Sequence, residues 1–365
     1  MPKIRHLFPG GNTCFGFYSY YNYIVSPNVK RKIILKGGPG VGKSTFMRKM
    51  GEDFSSDGYD VEYHWCSSDN DSLDGVVIGD QELCILDGTA PHVVDPRFPG
   101  AVDEIINLGV YWNKKKLVKN RNVIVNLTQD IGRCFDRAYI RLKESRLAME
   151  EWISYYHDAI NEEAVNRNIL ALTLDFIPKN NTHAGSVRHL FAAAITPLGI
   201  VHRAESLLDS DLAVFAIKGS PGSGKTELFI NIFNMINLHG INAEVYHNPA
   251  DPDEIDLILL PTEKIALVNI SSPLVDYETA ISGRKIKRML DFDALLSKEM
   301  IDTYAHNISS AQERYETAVR DAVSHIHNAK ELHDELESYY TPAMDLDAIE
   351  QMRQELFLQL KEEFA

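Results

Sequence analysis

The chain has 365 residues, 44% of them hydrophobic and 24% charged, with a formal net charge of −15. Those values fit a globular chain of about two domains and exclude a disordered chain, a collagen-like chain and a disulfide mini-protein. No apolar run reaches the ~18 residues of a membrane span. The start, Met1-Pro2-Lys3-Ile4-Arg5-His6, lacks the apolar stretch of a secretory signal, and the four cysteines (Cys14, Cys66, Cys84, Cys134) form no CxxC pair, so a cytoplasmic location is expected.

The predicted elements run in two rounds. A short strand at 16–24 opens the first, followed by an apolar strand at 32–36, a Gly-rich loop and a helix. A strand then ends at Tyr63-His64, an acidic loop follows, and an apolar run occupies 83–86. Ile124, Leu127, Ile131, Cys134, Phe135, Ala138 and Leu142 recur at helical spacing, although Val123-Ile124-Val125 also suits a strand. The second round has strands at 199–203, 213–218 and 265–268, then residues 301–340, poor in Gly and Pro and rich in helix formers. Residues 347–365 read as an amphipathic helix. Strands alternating with helices imply an α/β fold with mostly parallel sheets, each followed by long helical segments.

The two rounds are one unit written twice. Arg5-His6-Leu7-Phe8 recurs as Arg188-His189-Leu190-Phe191, and Tyr63-His64 as Tyr246-His247. Asp69, Asp71 and Asp74 recur as Asp251, Asp253 and Asp256, Pro91 as Pro273, and Ser154-Tyr155-Tyr156 as Ser338-Tyr339-Tyr340. The repeat predicts domains at 1–182 and 183–365, with the boundary in the polar stretch 179–185. Net charge is −1 in the first and −14 in the second. An acidic second half repels a phosphate backbone, so nucleic acid is not an expected partner. The basic stretch Lys114, Lys115, Lys116, Lys119 and Arg121 reads as a solvated face.

Gly37-Gly38-Pro39-Gly40-Val41-Gly42-Lys43-Ser44 and Gly219-Ser220-Pro221-Gly222-Ser223-Gly224-Lys225-Thr226 both fit GxxxxGK[ST] between an apolar strand and a helix. Such a loop turns backbone N–H groups inward around phosphates, where side chains would intrude, and the helix start adds positive potential. The expected nucleotide contacts are Gly38, Pro39, Gly40, Val41, Gly42, Lys43, Ser44 and Thr45 in the first half. In the second they are Ser220, Pro221, Gly222, Ser223, Gly224, Lys225, Thr226 and Glu227. Lys43 and Lys225 would meet the β and γ phosphates; Ser44 and Thr226 offer hydroxyls to Mg²⁺. Asp87 ends an apolar strand and is the expected second metal ligand of the first site, whereas its partner Asn269 carries no charge. Turnover is therefore expected mainly at the first site, with Lys43, Asp87 and Asp74 as catalytic groups. The acidic loops serve either metal and nucleophile or turn capping. His64 and His247 either contact phosphate or pack. Thr89 and Ser271 offer a hydroxyl sensor of the γ phosphate. Arg133, Arg137 and Arg141, or Arg284, Lys285, Lys287 and Arg288, supply either an arginine finger or a solvated basic stripe. No NKxD guanine-reading motif occurs, which favours ATP.

Gly11-Asn12-Thr13-x-x-Gly16-Phe17, the first loop, Cys66-Ser67-Ser68-Asp69 to Ser72-Leu73-Asp74-Gly75, and Asp87-Gly88-Thr89-Ala90-Pro91-His92 resemble a group of bacterial proteins with duplicated P-loop domains, labelled ATPases or nucleotide kinases. The resemblance runs over nearly the whole chain and is densest over 5–110. It implies ATP binding by a P-loop NTPase domain in each half. Three activities remain open: an ATPase with two communicating sites, a small-molecule or nucleotide kinase with an unknown acceptor, and a nucleotide-gated module for a protein partner with negligible turnover.

Overall fold

A computed structural model describes residues 2–26, 28–80, 82–90, 93–178 and 185–364. The expected boundary near 183 and the Pro91-His92 pair lie outside these residues. The first half contributes β1 (Ile4–Leu7), β2 (Gly10–Thr13), β3 (Gly16–Ser19), β4 (Arg31–Lys36), α1 (Lys43–Ser56), β5 (Val61–Trp65), β6 (Leu73–Ile78), β7 (Leu83–Asp87), β8 (Asp103–Asn107), α2 (Lys114–Lys119), α3 (Arg121–His157) and α4 (Glu162–Phe176). The second contributes β9 (Val187–Phe191), β10 (Ala193–Thr196), β11 (Gly199–His202), β12 (Ala213–Lys218), α5 (Lys225–His239), β13 (Ala243–His247), β14 (Ile255–Leu260), β15 (Ile265–Asn269), α6 (Tyr277–Ala280), β16 (Lys285–Asp291), α7 (Lys298–Thr303), α8 (Ala305–Tyr340) and α9 (Leu346–Phe364).

Each half builds one six-stranded sheet of the same topology, β1-β5-β6-β7-β4-β8 and β9-β13-β14-β15-β12-β16. All strands are parallel except β6 and β14, which run antiparallel to both neighbours. The central strands are buried on both faces, hence their continuous apolar runs such as Ile33-Ile34-Leu35. The strands expected at 16–24 and 199–203 lie outside the two six-stranded sheets, and the first ends at Ser19. They form the outer arms of two small hairpins, β2–β3 and β10–β11, each turning at a positive-φ glycine, Gly16 or Gly199. The chain enters each main sheet through β1 and β9, at the Arg-His-Leu repeat. The stretch 123–125 is helical, inside α3.

The long helices tie the halves together. α3 has 37 residues and α8 has 36, so each is about 55 Å long. They pack antiparallel: Ala138 and Leu142 meet Ala322 and Ile326, while Ala148 and Trp152 meet Ile308, Ala311 and Tyr315. Small buried residues at heptad-like spacing let the two backbones approach closely. Their successors then cross over. α9, from the second repeat, buries Ile349, Leu356 and Leu360 against Phe46, Met47, Met50 and Phe54 on the first sheet. α4, from the first repeat, buries Val165, Ile169, Leu172 and Phe176 against Phe215, Leu228 and Phe229 on the second. Each half therefore completes the other's core.

A buried charge cluster joins the two sheets. Arg5 donates to Glu62, Glu244 and Tyr246, and Arg188 donates to Glu62 at 2.7 Å and lies 3.5 Å from Glu244. Burial opposes charge on Glu62, but Arg188 and Arg5 outweigh it and hold this carboxyl well below its usual range. Phe8 and Phe191 exchange reciprocal backbone hydrogen bonds beside the cluster.

Candidate functional site

Both glycine loops lie between a central strand and a helix start, β4–α1 and β12–α5. Gly40 and Gly42 have φ of 63° and 87°, and Gly222 and Gly224 have 80° and 103°, a region that penalises any Cβ. The lysine that opens each helix curls back into its own loop. Lys43 Nζ donates to the carbonyls of Gly37 (3.0 Å) and Gly38 (2.9 Å). Lys225 Nζ donates to the Gly219 carbonyl and, at 2.9 Å, to Ser271 Oγ. Thr45 and Glu227, two positions after these lysines, are exposed.

At the first loop, Lys43 Nζ is 3.5 Å from Asp87 Oδ2 at the end of β7. Asp87 Oδ1 accepts from the N–H of Thr89 at 2.8 Å and from its hydroxyl, so Thr89 orients the carboxylate. Gly75 pairs with Leu86 as the last pair of β6–β7, which leaves Asp74 and Asp87 as the next residues at the same end of the two strands. Asp74 is buried, and it acts on two buried neighbours: burial first, then Asp74, pushes the Tyr21 phenol and the Cys66 thiol well up. Ser44 Oγ accepts from the Leu73 N–H at 3.0 Å. Two carboxylates, a hydroxyl and a lysine thus gather at one end of the central strands β6 and β7.

The second loop is wired differently. Asn269 bridges: its Oδ1 accepts from Lys225 at 3.1 Å, and its Nδ2 donates to Asp256 Oδ1 at 3.0 Å. Burial pushes Asp256 up to about 6, and burial lowers Lys225 to about 8. Thr226 Oγ1 donates to Glu254 Oε2 at 2.8 Å. Asp293 accepts from the Ser220 N–H at 2.7 Å. Glu254 and Asp293 were not among the expected site residues, though Glu254 sits inside the acidic loop.

The remaining expectations divide. Asp69 and Asp251 cap turns: Asp69 accepts from the Asp71 N–H and Ser72 Oγ, and Asp251 from the Asp253 N–H. His64 is fully buried 3.6 Å from Glu62, and His247 shares a 2.8 Å contact with His189; burial lowers both, His247 to about 3. They belong to the inter-sheet packing. Arg133 pairs with Asp130 within α3, and Arg141 with Glu144 and with Asp321 of α8. Lys287 and Arg288 hold Asp175 of α4, and Arg284 donates to backbone carbonyls. Arg48 of α1 donates to the Asp71 carbonyl of the first acidic loop, and cations from the opposite half also approach these loops. Arg146 of α3 lies 3.5 Å from Asp251, and Lys330 of α8 lies 3.7 Å from Asp69.

The helix exchange also closes over the loops. A Cβ on Gly38 would stand 2.9 Å from Tyr340, and one on Gly40 would stand 2.9 Å from Thr341 Oγ1, at the end of α8. The N–H of Gly40 donates to Glu337 Oε1 at 2.9 Å. At the second loop, a Cβ on Gly222 would stand 2.7 Å from the Ile153 carbonyl and 3.0 Å from Tyr156, at the end of α3. The repeated Ser-Tyr-Tyr triplet was the sequence trace of these two caps. α9 runs parallel to α1, with Lys49 on Glu350, Asp53 on Arg353 and Asp57 on Lys361, and Leu346 reaches Gly42. Two positive helix ends therefore flank the first loop. An open groove of about 640 Å³ adjoins it, lined by Tyr111, Trp112, Lys116, Met344 and Leu346 among others. Its counterpart beside the second loop, about 500 Å³, has Leu295, Leu296 and Ile160 instead.

No helix among the described residues is long and apolar enough to cross a membrane. Comparison with models of known protein families, with curated proteins and with solved structures finds no match for the chain.

Proposed function

We propose that the protein binds a nucleoside triphosphate with Mg²⁺ at each glycine loop, ATP being favoured, and hydrolyses it mainly at the first. The observation that carries this reading is the pair of positive-φ glycine loops. Each opens a helix with a lysine whose ammonium is within reach of the loop's own carbonyls. An incoming phosphate would exchange those carbonyls for its own oxygens. The groove beside the first loop suits the nucleoside, with Trp112 and Tyr111 offering aromatic surface.

The donor set suits a hard cation at the first site: the hydroxyl of Ser44 and the carboxylate of Asp87 are oxygen ligands, and Asp87 is already directed at the loop by Thr89. Bound Mg²⁺ would neutralise phosphate charge. Lys43 would hold the terminal phosphates, and Asp74, at the same strand end as Asp87, is the carboxylate that would orient water. At the second site Asn269 spends its amide on Asp256 and Lys225, which leaves Thr226 and Glu254 as the oxygen donors. That arrangement supports binding with slower turnover. No acceptor or protein partner is assigned, so kinase and gated-module activities are separated by experiment. Mg²⁺-dependent phosphate release without any acceptor is expected from the wild type. It should be lost in Lys43→Ala and largely kept in Lys225→Ala. Turnover that survives Lys43→Ala, or that requires an added acceptor, would overturn this reading.

A further inference from the structure

We propose that Glu337 is a built-in stopper of the first loop: its carboxylate stands in for a phosphate oxygen, and polyphosphate enters only as the end of α8 withdraws. This rests on the nucleotide reading above and concerns the regulation of that same site.

Three observations carry it. First, the contact is of the right kind. The Gly40 N–H, from the positive-φ turn of the loop, donates to a carboxylate oxygen at 2.9 Å. A carboxylate is an anionic acceptor, as a phosphate oxygen is, and two such anions cannot share one donor without repulsion. Second, the fit is close. The backbone carbonyl of Glu337 stands 3.4 Å and its Cβ 3.3 Å from where a Cβ of Gly40 would be, and Tyr340 lies against Gly38. Ligand and helix end therefore compete for the same space as well as the same donor. Third, among the described residues a carboxylate from the end of a long helix sits on the positive-φ glycine turn at the first loop, whereas at the second loop Asp293 holds the Ser220 N–H instead. The repeat Ser154-Tyr155-Tyr156 and Ser338-Tyr339-Tyr340 aligns Glu337 with Ile153. The second loop is capped by Ile153 and Tyr156, which bring no charge. The site with the proposed hydrolytic carboxylates is thus the one whose glycine turn is held by the acidic end of α8.

The chemistry predicts the sequence of events at the first loop: Glu337 leaves the Gly40 N–H before polyphosphate takes it. α8 can yield locally there, because its hydrophobic seam with α3 is built from residues 308–329, with Leu336 its last buried position before the cap.

The test uses full-length protein carrying Lys225→Ala, so that only the first loop reports. Calorimetric titration with Mg²⁺·ATP, and separately with pyrophosphate, compares Glu337 with E337Q and E337A. E337Q keeps the size of the side chain and removes its charge. The same substitutions on a Lys43→Ala background serve as the folding control, where second-loop affinity should be unchanged. Both variants are expected to bind about tenfold tighter or better, the order of one charge-assisted hydrogen bond. Hydrogen exchange over 333–345 should rise on addition of Mg²⁺·ATP to the Glu337 protein. Binding by E337Q when Glu337 protein shows none supports the stopper equally. Affinity that is unchanged or weaker in both variants overturns it, and weaker binding would make Glu337 a ligand of the nucleotide instead. Those results leave the nucleotide reading standing. Absence of binding at either loop in every variant sinks both.

Discussion

Leu360 and Leu172 allow the exchange of helices to be tested with single substitutions. Leu360 lies in the second repeat, yet it is fully buried against the first sheet; Leu172 lies in the first repeat and is fully buried against the second. Truncating a fully buried leucine to alanine removes its transfer free energy and leaves a cavity, together about 2–5 kcal/mol. At about 1.4 kcal/mol per tenfold, 3 kcal/mol corresponds to roughly a hundredfold faster exchange for amides that open with the affected core. Hydrogen exchange by mass spectrometry resolves the halves. Leu360→Ala should accelerate exchange over 46–54 and 61–87 and leave 213–269 near the wild-type rate. Leu172→Ala should do the reverse. If Leu360→Ala loosened the second sheet while sparing the first, the packing described for α9, and with it the flanking of the first loop by two helix starts, would be refuted.

Other expectations concern charge. Asp87→Asn should lower Mg²⁺-dependent phosphate release about a hundredfold or more while leaving nucleotide binding at the second loop intact, as read by turnover and titration in parallel. Glu62→Ala leaves Glu244 as the one carboxylate facing both Arg5 and Arg188 in the inter-sheet cluster and should cost about 3 kcal/mol in urea unfolding. Because the folded state holds the Glu62 carboxyl low, its contribution is present above about pH 4.5 and is lost as acid takes the pH down through the lowered value. Asp256 has the opposite sign. Burial raises it to about 6, so the folded protein takes up a proton that the unfolded chain releases down to its ordinary value. Its contribution therefore grows by about 1 kcal/mol as the pH falls from about 7 to 5, and Asp256→Asn should remove that increment from the difference in unfolding free energy.

Much of the fold could be read from residue pattern. The apolar runs 32–36 and 213–218 are strands, the glycine loops open helices, and the tail is one helix, because strong periodicity and the repeat reinforced each other. The hairpins escaped because Gly16 and Gly199 begin short arms whose pairing partners, β2 and β10, have too few residues to announce themselves. The exchange of α4 and α9 escaped for a different reason. Periodicity says that Leu356 and Leu360 need a buried face, and nothing in it says whose. The site divides in the same way. Lys43, Asp87 and the loops follow from local spacing, and Asp74 from its repeat. Glu337, Arg146 and Lys330 reach their places through the α3–α8 pair, across 297 residues of chain for Glu337 and 261 for Lys330, so no local motif could flag them.

The number of nucleotide equivalents bound at equilibrium tests the central claim most directly. Titrating purified full-length protein with Mg²⁺·ATP should give two equivalents for the wild type, one each for Lys43→Ala and Lys225→Ala, and none for the double variant. Wild-type protein with no affinity for any Mg²⁺-bound nucleoside triphosphate, or two undiminished equivalents in the double variant, would contradict it.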